Sequence, residues 1–176
     1  MEQTRITNTT KNGDNDKIQL CSFWISSRLF GVNILDVKEV SNDIAITPVF
    51  HAATSIEGYM NIRGQIHLVV DIRQYFGFEK NANNANNRVV LFKQSVDEPF
   101  GILVDKMDDV ISVDVSLIEE RRNKKNENSD FKGSDKRTAY GEMTSGVCKL
   151  QNGLLVVLNA KGILQAVENT ADNVSI

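Results

Sequence analysis

His67 and Asp71 stand four residues apart in QIHLVVDI, a base and a carboxylate in a chain that has only two histidines. On a strand, residues four apart share a face but lie roughly 13 Å apart, beyond direct proton transfer. A structural histidine is therefore the better reading. His51 follows Pro48 in a loop and reads as a surface residue. The two histidines and the dispersed Cys21 and Cys148 have no zinc-ligand spacing. Asp105, Asp108 and Asp109 cluster in VDKMDDVI. They lack the oxygen-ligand spacing of a calcium loop and read as a solvated strand end. No nucleophile elbow, phosphate-binding loop or dinucleotide fingerprint occurs. The expectation is a protein that is not an enzyme and holds no metal or cofactor.

Arg63 is the polar residue that stands out. It sits between Ile62 and Gly64 at a predicted hairpin turn. One reading is an exposed turn arginine with no duty. The other is a planar, multi-donor anchor that grips a carboxylate or carbonyl of a partner. Glu39 admits the same pair of readings: a solvated strand residue, or a charged rim beside apolar Val37.

A formal charge of −3 argues against nucleic acid, which selects a clustered basic surface. The run Arg121, Arg122, Lys124, Lys125 lies in a segment, 119–138, with seven basic and five acidic residues. That segment reads as a flexible polar insert. No apolar run approaches the ~20 residues of a membrane span. The opening segment MEQTRITNTTKNGDNDK lacks a hydrophobic signal core. The expectation is a cytoplasmic chain with no direct membrane insertion. Cys21 and Cys148 both lie in apolar runs, where buried thiols fit better than a disulfide.

The elements that position these residues come as two repeats. RLFGVNILDVKEV returns as EPFGILVDKMDDV, shifted by 70 residues from Phe30 to Phe100. GYMNIRGQIHLVVDI returns as GVCKLQNGLLVVLNA, shifted by 88 from Gly58 to Gly146. The excess of 18 residues, 88 less 70, falls between Val110 and Gly146, where the polar insert lies. Within the blocks, Arg63-Gly64 and Asn152-Gly153 mark hairpins. In the first block Val32 and Ile34 turn inward, with Leu35 and Val37 as further candidates. PVFHAATSI forms a helical turn or a loop, and DIRQYFG and NAKGILQAV supply a turn or two of helix each. Roughly ten strands result, too few per half for two independent cores. The domain reading is a disordered tail at 1–16, paired halves at about 18–80 and 88–166 within a unit spanning 17–167, and a C-terminal tail at 168–176.

One long stretch carries a resemblance. FGVNILDVKEV, then IEGYMNIRGQIHLVVDIRQYFG, is similar to the CheW family of chemotaxis coupling proteins and to the related regulatory domain of the histidine kinase CheA. The matching pattern is Gly58, Asn61-Ile62-Arg63-Gly64, the apolar run Ile66 to Val70, Asp71-Ile72-Arg73 and Phe76-Gly77. The resemblance runs from about Ile18 to Val167. Leu68 stands where the family often has Pro, Asn159 where the second half usually has Asp, and Glu57 where a basic residue is common. The insert is also long for the family.

The resemblance implies a mainly β fold: two small SH3-like, five-stranded β-barrels packed around a shared hydrophobic core, with short helices. It implies a non-enzymatic scaffold that couples the cytoplasmic tip of a chemoreceptor (a methyl-accepting chemotaxis protein) to the CheA regulatory domain. It also implies a cytoplasmic protein recruited to membrane-associated receptor arrays. By matched position, receptor or partner binding falls on Ile34, Val37, Glu39, Gly58 and Arg63. The alternatives are a detached or divergent paralogue with other partners, a small nucleic-acid-binding barrel, and a barrel enzyme in which Asp71 and His67 face one cleft.

Overall fold

The computed structural model describes residues 16–80, 85–120 and 135–172. Residues 1–15 of the expected N-terminal tail (1–16), the middle of the expected insert (121–134) and residues 173–176 lie outside the described residues. The described residues form twelve strands: β1 Lys17–Ile25, β2 Arg28–Asn33, β3 Val37–Ser41, β4 Ile46–Thr47, β5 Ile56–Ile62, β6 Gln65–Val70, β7 Arg88–Phe92, β8 Phe100–Val104, β9 Lys106–Asp114, β10 Ile118–Glu120, β11 Thr144–Leu150 and β12 Gly153–Leu158. Two helices, α1 Asp135–Met143 and α2 Ala160–Asp172, and three 3-10 turns complete the set.

The strands make two six-stranded sheets, ordered β3-β7-β8-β6-β5-β4 and β10-β11-β12-β2-β1-β9. The expected pair of SH3-like units is present. Each counts six strands rather than five once the two-residue β4 and the three-residue β10 are included. Neither ladder joins its end strands, so side chains fill the remaining gap. In the second sheet, Ile111 and Val113 of β9 pack in one cluster with Ile118 of β10.

The two lobes are not the sequence halves 18–80 and 88–166. β1 and β2, from the first half, complete the sheet of β9–β12. β7 and β8, from the second half, complete the sheet of β3–β6. The exchange is made by four pairings: two parallel, β12 with β2 and β6 with β8, and two antiparallel, β1 with β9 and β3 with β7. A parallel neighbour cannot be reached through a tight hairpin, so each partner must come from elsewhere in the chain. The repeats record where each hairpin sits but carry no signal for which sheet receives it.

Three apolar clusters follow from this arrangement. One fills the second lobe (Leu20, Val113, Cys148, Leu155, Val157) and one fills the first (Met60, Val69, Val89, Leu91, Leu103). The third and largest lies between them and draws Phe23, Phe30, Val70, Phe76, Phe92, Phe100 and Ile163 from both lobes and from α2. Alternation along the strands sends one face into a lobe interior and the other into the seam. In β7, for example, Val89 and Leu91 face the first-lobe cluster, whereas Val90 and Phe92 face the shared one.

Helix α2 is longer than the expected turn or two. It overruns the predicted tail boundary at 168 because Ile163, Leu164, Ala166 and Val167 bury one face on the shared core. That burial nucleates a helix which then propagates. Its Gly162 sits against α1, where an added Cβ would lie 1.8 Å from the Glu142 carbonyl oxygen.

A buried ion network ties the lobes. Arg73 is fully buried, and its Nη1 donates to Asp71 Oδ2 at 2.9 Å. Its Nη2 donates to Asp105 Oδ1. Asp71 Oδ1 also accepts from the Arg73 backbone N–H at 2.9 Å. Asp105, between β8 and β9, receives the Ser26 amide from the β1–β2 turn, and its own amide donates to the Trp24 carbonyl at 2.9 Å. Asp105 is therefore not the solvated strand-end residue the sequence implies. Burial alone would lower the Arg73 pKa. The charge of Asp71, then the hydrogen bonds to Asp105 and Asp71, outweigh it and raise the pKa above its ordinary value.

Arg73→Ala would leave Asp71 buried without its counterion. It should destabilise the fold by about 3–5 kcal/mol, read as a lowered urea midpoint. Gly162→Ala sets a helix-propensity gain of about 1 kcal/mol against forced overpacking of about 1–3 kcal/mol. With the Glu142 oxygen so near, the expected outcome is a lower melting temperature.

Candidate functional site

The Arg63-Gly64 turn closes the β5–β6 hairpin as predicted, with Ile62 paired to Gln65. Both turn residues have positive φ, 51° and 84°, the signature of a primed turn whose twist matches the strands. Asn61 Oδ1 receives the Gly64 amide at 2.9 Å and fixes the turn. The turn projects Arg63 outward, its side chain 85% exposed. Its Nη2 lies 3.2 Å from Oε2 of Glu39 on β3. The two charged residues singled out in the sequence are therefore brought together. The Glu39 side chain is only 25% exposed, and its Oε1 is buried with no hydrogen-bond partner among the described residues.

Ile34 opens the 3-10 turn Ile34–Asp36 between β2 and β3 and Val37 follows it, and both pack partly against the shared core. Asn33 caps that turn by accepting the Leu35 amide at 3.0 Å. The turn breaks strand alternation, so Leu35 is not the inward residue the pattern allowed. It is 70% exposed. Ile34, Val37, Glu39 and Arg63 thus span from the seam to the hairpin tip of the first lobe.

Gly58 plays a different part. It is buried in β5 at φ 142°, and an added Cβ would lie 2.1 Å from the Thr47 carbonyl oxygen. The missing side chain lets β4 lie directly against β5. Gly58 positions β4 rather than offering a contact of its own. Beyond β4 the chain turns through His51 at φ 62° and leaves Phe50 86% exposed. Sequence reasoning missed Phe50, because an aromatic in a short loop after proline has no periodicity to mark it.

His67 and Asp71 do not share a solvent cleft. His67 is fully buried, with Nδ1 3.1 Å from the Gln65 carbonyl oxygen and Nε2 3.5 Å from Lys38 Nζ. That arrangement puts the ring proton on Nδ1 and leaves Nε2 as an acceptor. Asp71 is committed to Arg73. Glu57 forms an ion pair with Lys80 at 2.5 Å. Asp108, also read as strand-end solvation, accepts from Trp24 Nε1 at 2.7 Å. Most aromatic side chains stack in the core, among them Phe23 on Phe30 and Phe92 on Phe100, rather than forming a platform for bases. Among the described residues no cluster of three potential metal ligands occurs. No described helix is long and apolar enough to cross a membrane.

Two SH3-like lobes joined at a shared core, with a charged hairpin tip beside an apolar seam, define the fold and its candidate site. The chain belongs to the CheW-like domain family, whose model matches residues 19–168. It is similar to a chemotaxis protein CheW of Rhizobium meliloti (strain 1021), 31% identical over 108 residues, or 61% of this chain and 69% of that one. It is also similar to a chemotaxis protein CheW of Helicobacter pylori (strain ATCC 700392 / 26695), 22% identical over 157 residues, or 89% and 87% of the two chains. Among solved structures it matches the scaffolding protein TtCheW from Thermoanaerobacter tengcongensis with a TM-score of 0.66. That match is 24% identical and covers 81% of this chain and 88% of that one, a likeness of fold.

Cys21 and Cys148 are free and buried, as the sequence implied. Desolvation raises both thiol pKa values, which keeps the sulfurs protonated and unreactive. Ellman's reagent at neutral pH should label neither in the folded protein and both after denaturation.

Proposed function

We propose that this protein is a non-enzymatic chemotaxis scaffold that couples the cytoplasmic tip of a chemoreceptor to the regulatory domain of the histidine kinase CheA. It works in the cytoplasm, at receptor arrays beneath the membrane. Family membership supports the class. The observation that carries the site is the Glu39 carboxylate. One oxygen is held by Arg63, and the other is buried and unpartnered. That carboxylate steadies the exposed Arg63 guanidinium, whose remaining N–H donors are, among the described residues, free to meet a carboxylate or carbonyl of a partner.

In this reading the receptor tip lies over Ile34, Val37 and exposed Leu35, with Arg63 and Glu39 setting its register. Gly58 contributes by holding β4 in place. The scaffold catalyses nothing. It fixes the distance and orientation between two other proteins, and a body sharing one core transmits position without deforming.

A pull-down with a receptor signalling tip and the kinase regulatory domain, separately and together, tests the proposal. Capture of neither would overturn it. Arg63→Ala should weaken receptor capture by about fivefold, the scale of an exposed charged contact. Its melting temperature should stay within about 2 °C of the parent, because the side chain is solvent-exposed and both residues tolerate the turn equally. Parent-like receptor binding by this variant would remove Arg63 from the site.

A further inference from the structure

We propose that the second lobe carries a separate docking groove, which accepts an arginine side chain presented by another protein. The starting point is the repeat. A shift of 70 places Asp109 where Glu39 stands, and a shift of 88 places Gln151 where Arg63 stands and Leu154 where Ile66 stands. The strand registers obey the same shifts. Val69 pairs with Gly101 in the first lobe and Val157 with Gly31 in the second: 69 to 157 is 88, and 31 to 101 is 70. The equivalence is therefore spatial as well as sequential.

The two lobes treat this position differently. In the first, Arg63 lies on Glu39. In the second, Gln151 is shorter and uncharged, and among the described residues no lysine or arginine pairs with Asp108 or Asp109. A groove of about 670 Å³ opens there, lined by Trp24, Leu29, Asp108, Asp109, Ile111 and Leu154 among others. Leu29 and Ile111 pack down onto the second-lobe core, which gives the groove a firm apolar floor. Asp108 is held in place by Trp24 Nε1 at 2.7 Å. Arg28 also lines the groove, but its guanidinium lies over the Phe78 ring, 5.3 Å from the centroid.

Charge and shape together select the occupant. Leu154 is 55% exposed, as its counterpart Ile66 is at 54%. Two carboxylates stand among apolar walls, beside an indole whose ring already carries the Lys106 ammonium 5.4 Å from its centroid. An arginine fits the remaining features: its stem covers apolar surface and its planar fork meets a carboxylate. The partner segment carries that arginine next to an aliphatic residue, as the first lobe's own hairpin does with Ile62 and Arg63. The proposal is independent of receptor coupling, since it uses the other lobe.

Trp24 is the chain's single tryptophan and lines the groove, so its emission reports occupancy. The probe is the peptide acetyl-Leu-Arg-Gly-Leu-amide, with acetyl-Leu-Glu-Gly-Leu-amide as the control. The Arg peptide should change Trp24 emission saturably, and more weakly at high salt. Asp109→Asn should reduce its affinity by about fivefold, whereas Arg63→Ala should leave it unchanged. Gln151→Arg should fill the groove from within, shift Trp24 emission without peptide and abolish the response to it. No emission change up to about 10 mM peptide, equal binding of the Glu peptide, or undiminished binding by Asp109→Asn would each overturn the proposal.

Discussion

The buried guanidinium of Arg73 holds the two lobes in register. One carboxylate, Asp71, belongs to the end of the first lobe's β6. The other, Asp105, joins β8 to β9 and also holds the turn between β1 and β2. A cation in a dry interior is tolerated only with close counterions and directed hydrogen bonds. Its stringent geometry is what makes it informative: hydrophobic burial is non-directional and would let the lobes slide, whereas a forked pair fixes an angle. The shared aromatic cluster then supplies the bulk of the attraction across the seam.

The second half of the chain solves the same problem without charge. At the position matching Asp71 stands Asn159, whose backbone N–H donates to the Met143 carbonyl at 2.8 Å and whose backbone carbonyl accepts from the Ile163 N–H at 3.0 Å as α2 begins. A helix pair closed over Gly162 replaces the ion pair. The pseudo-symmetry of the fold is thus deep in the ladders and shallow at their ends. Those ends are where the lobes can acquire different partners.

Much of this was legible in the sequence. The hairpin at Arg63-Gly64 declares itself through a two-residue turn, and period-two alternation marks the strands on either side. The pairing of Arg63 with Glu39 follows only once β3 is laid beside the hairpin, which no local pattern reveals. His67 was legible as structural because strand geometry forbids its direct pairing with Asp71. Leu35 was misread because a 3-10 turn interrupts the alternation on which its inward placement rested. Arg73 gave no warning of burial, since its anchoring depends on Asp105, 32 residues away. The exchange of strands between lobes was invisible for the same reason: long-range partners, parallel and antiparallel alike, are chosen by tertiary packing, not by neighbours in the chain.

That exchange bears on how the molecule is assembled. Strands β3 to β8 form one continuous stretch and can close as soon as they are complete. The β1–β2 hairpin, although made earlier, has both of its flanking partners, β9 and β12, still to come. In a nascent chain it waits with two open edges and with Leu20 and Leu29, which pack against β9 and β12, uncovered. Such a surface attracts stray strands from other chains. The exposed interval lasts until the far end of the chain arrives to cover it, so the lobe begun first is the lobe finished last.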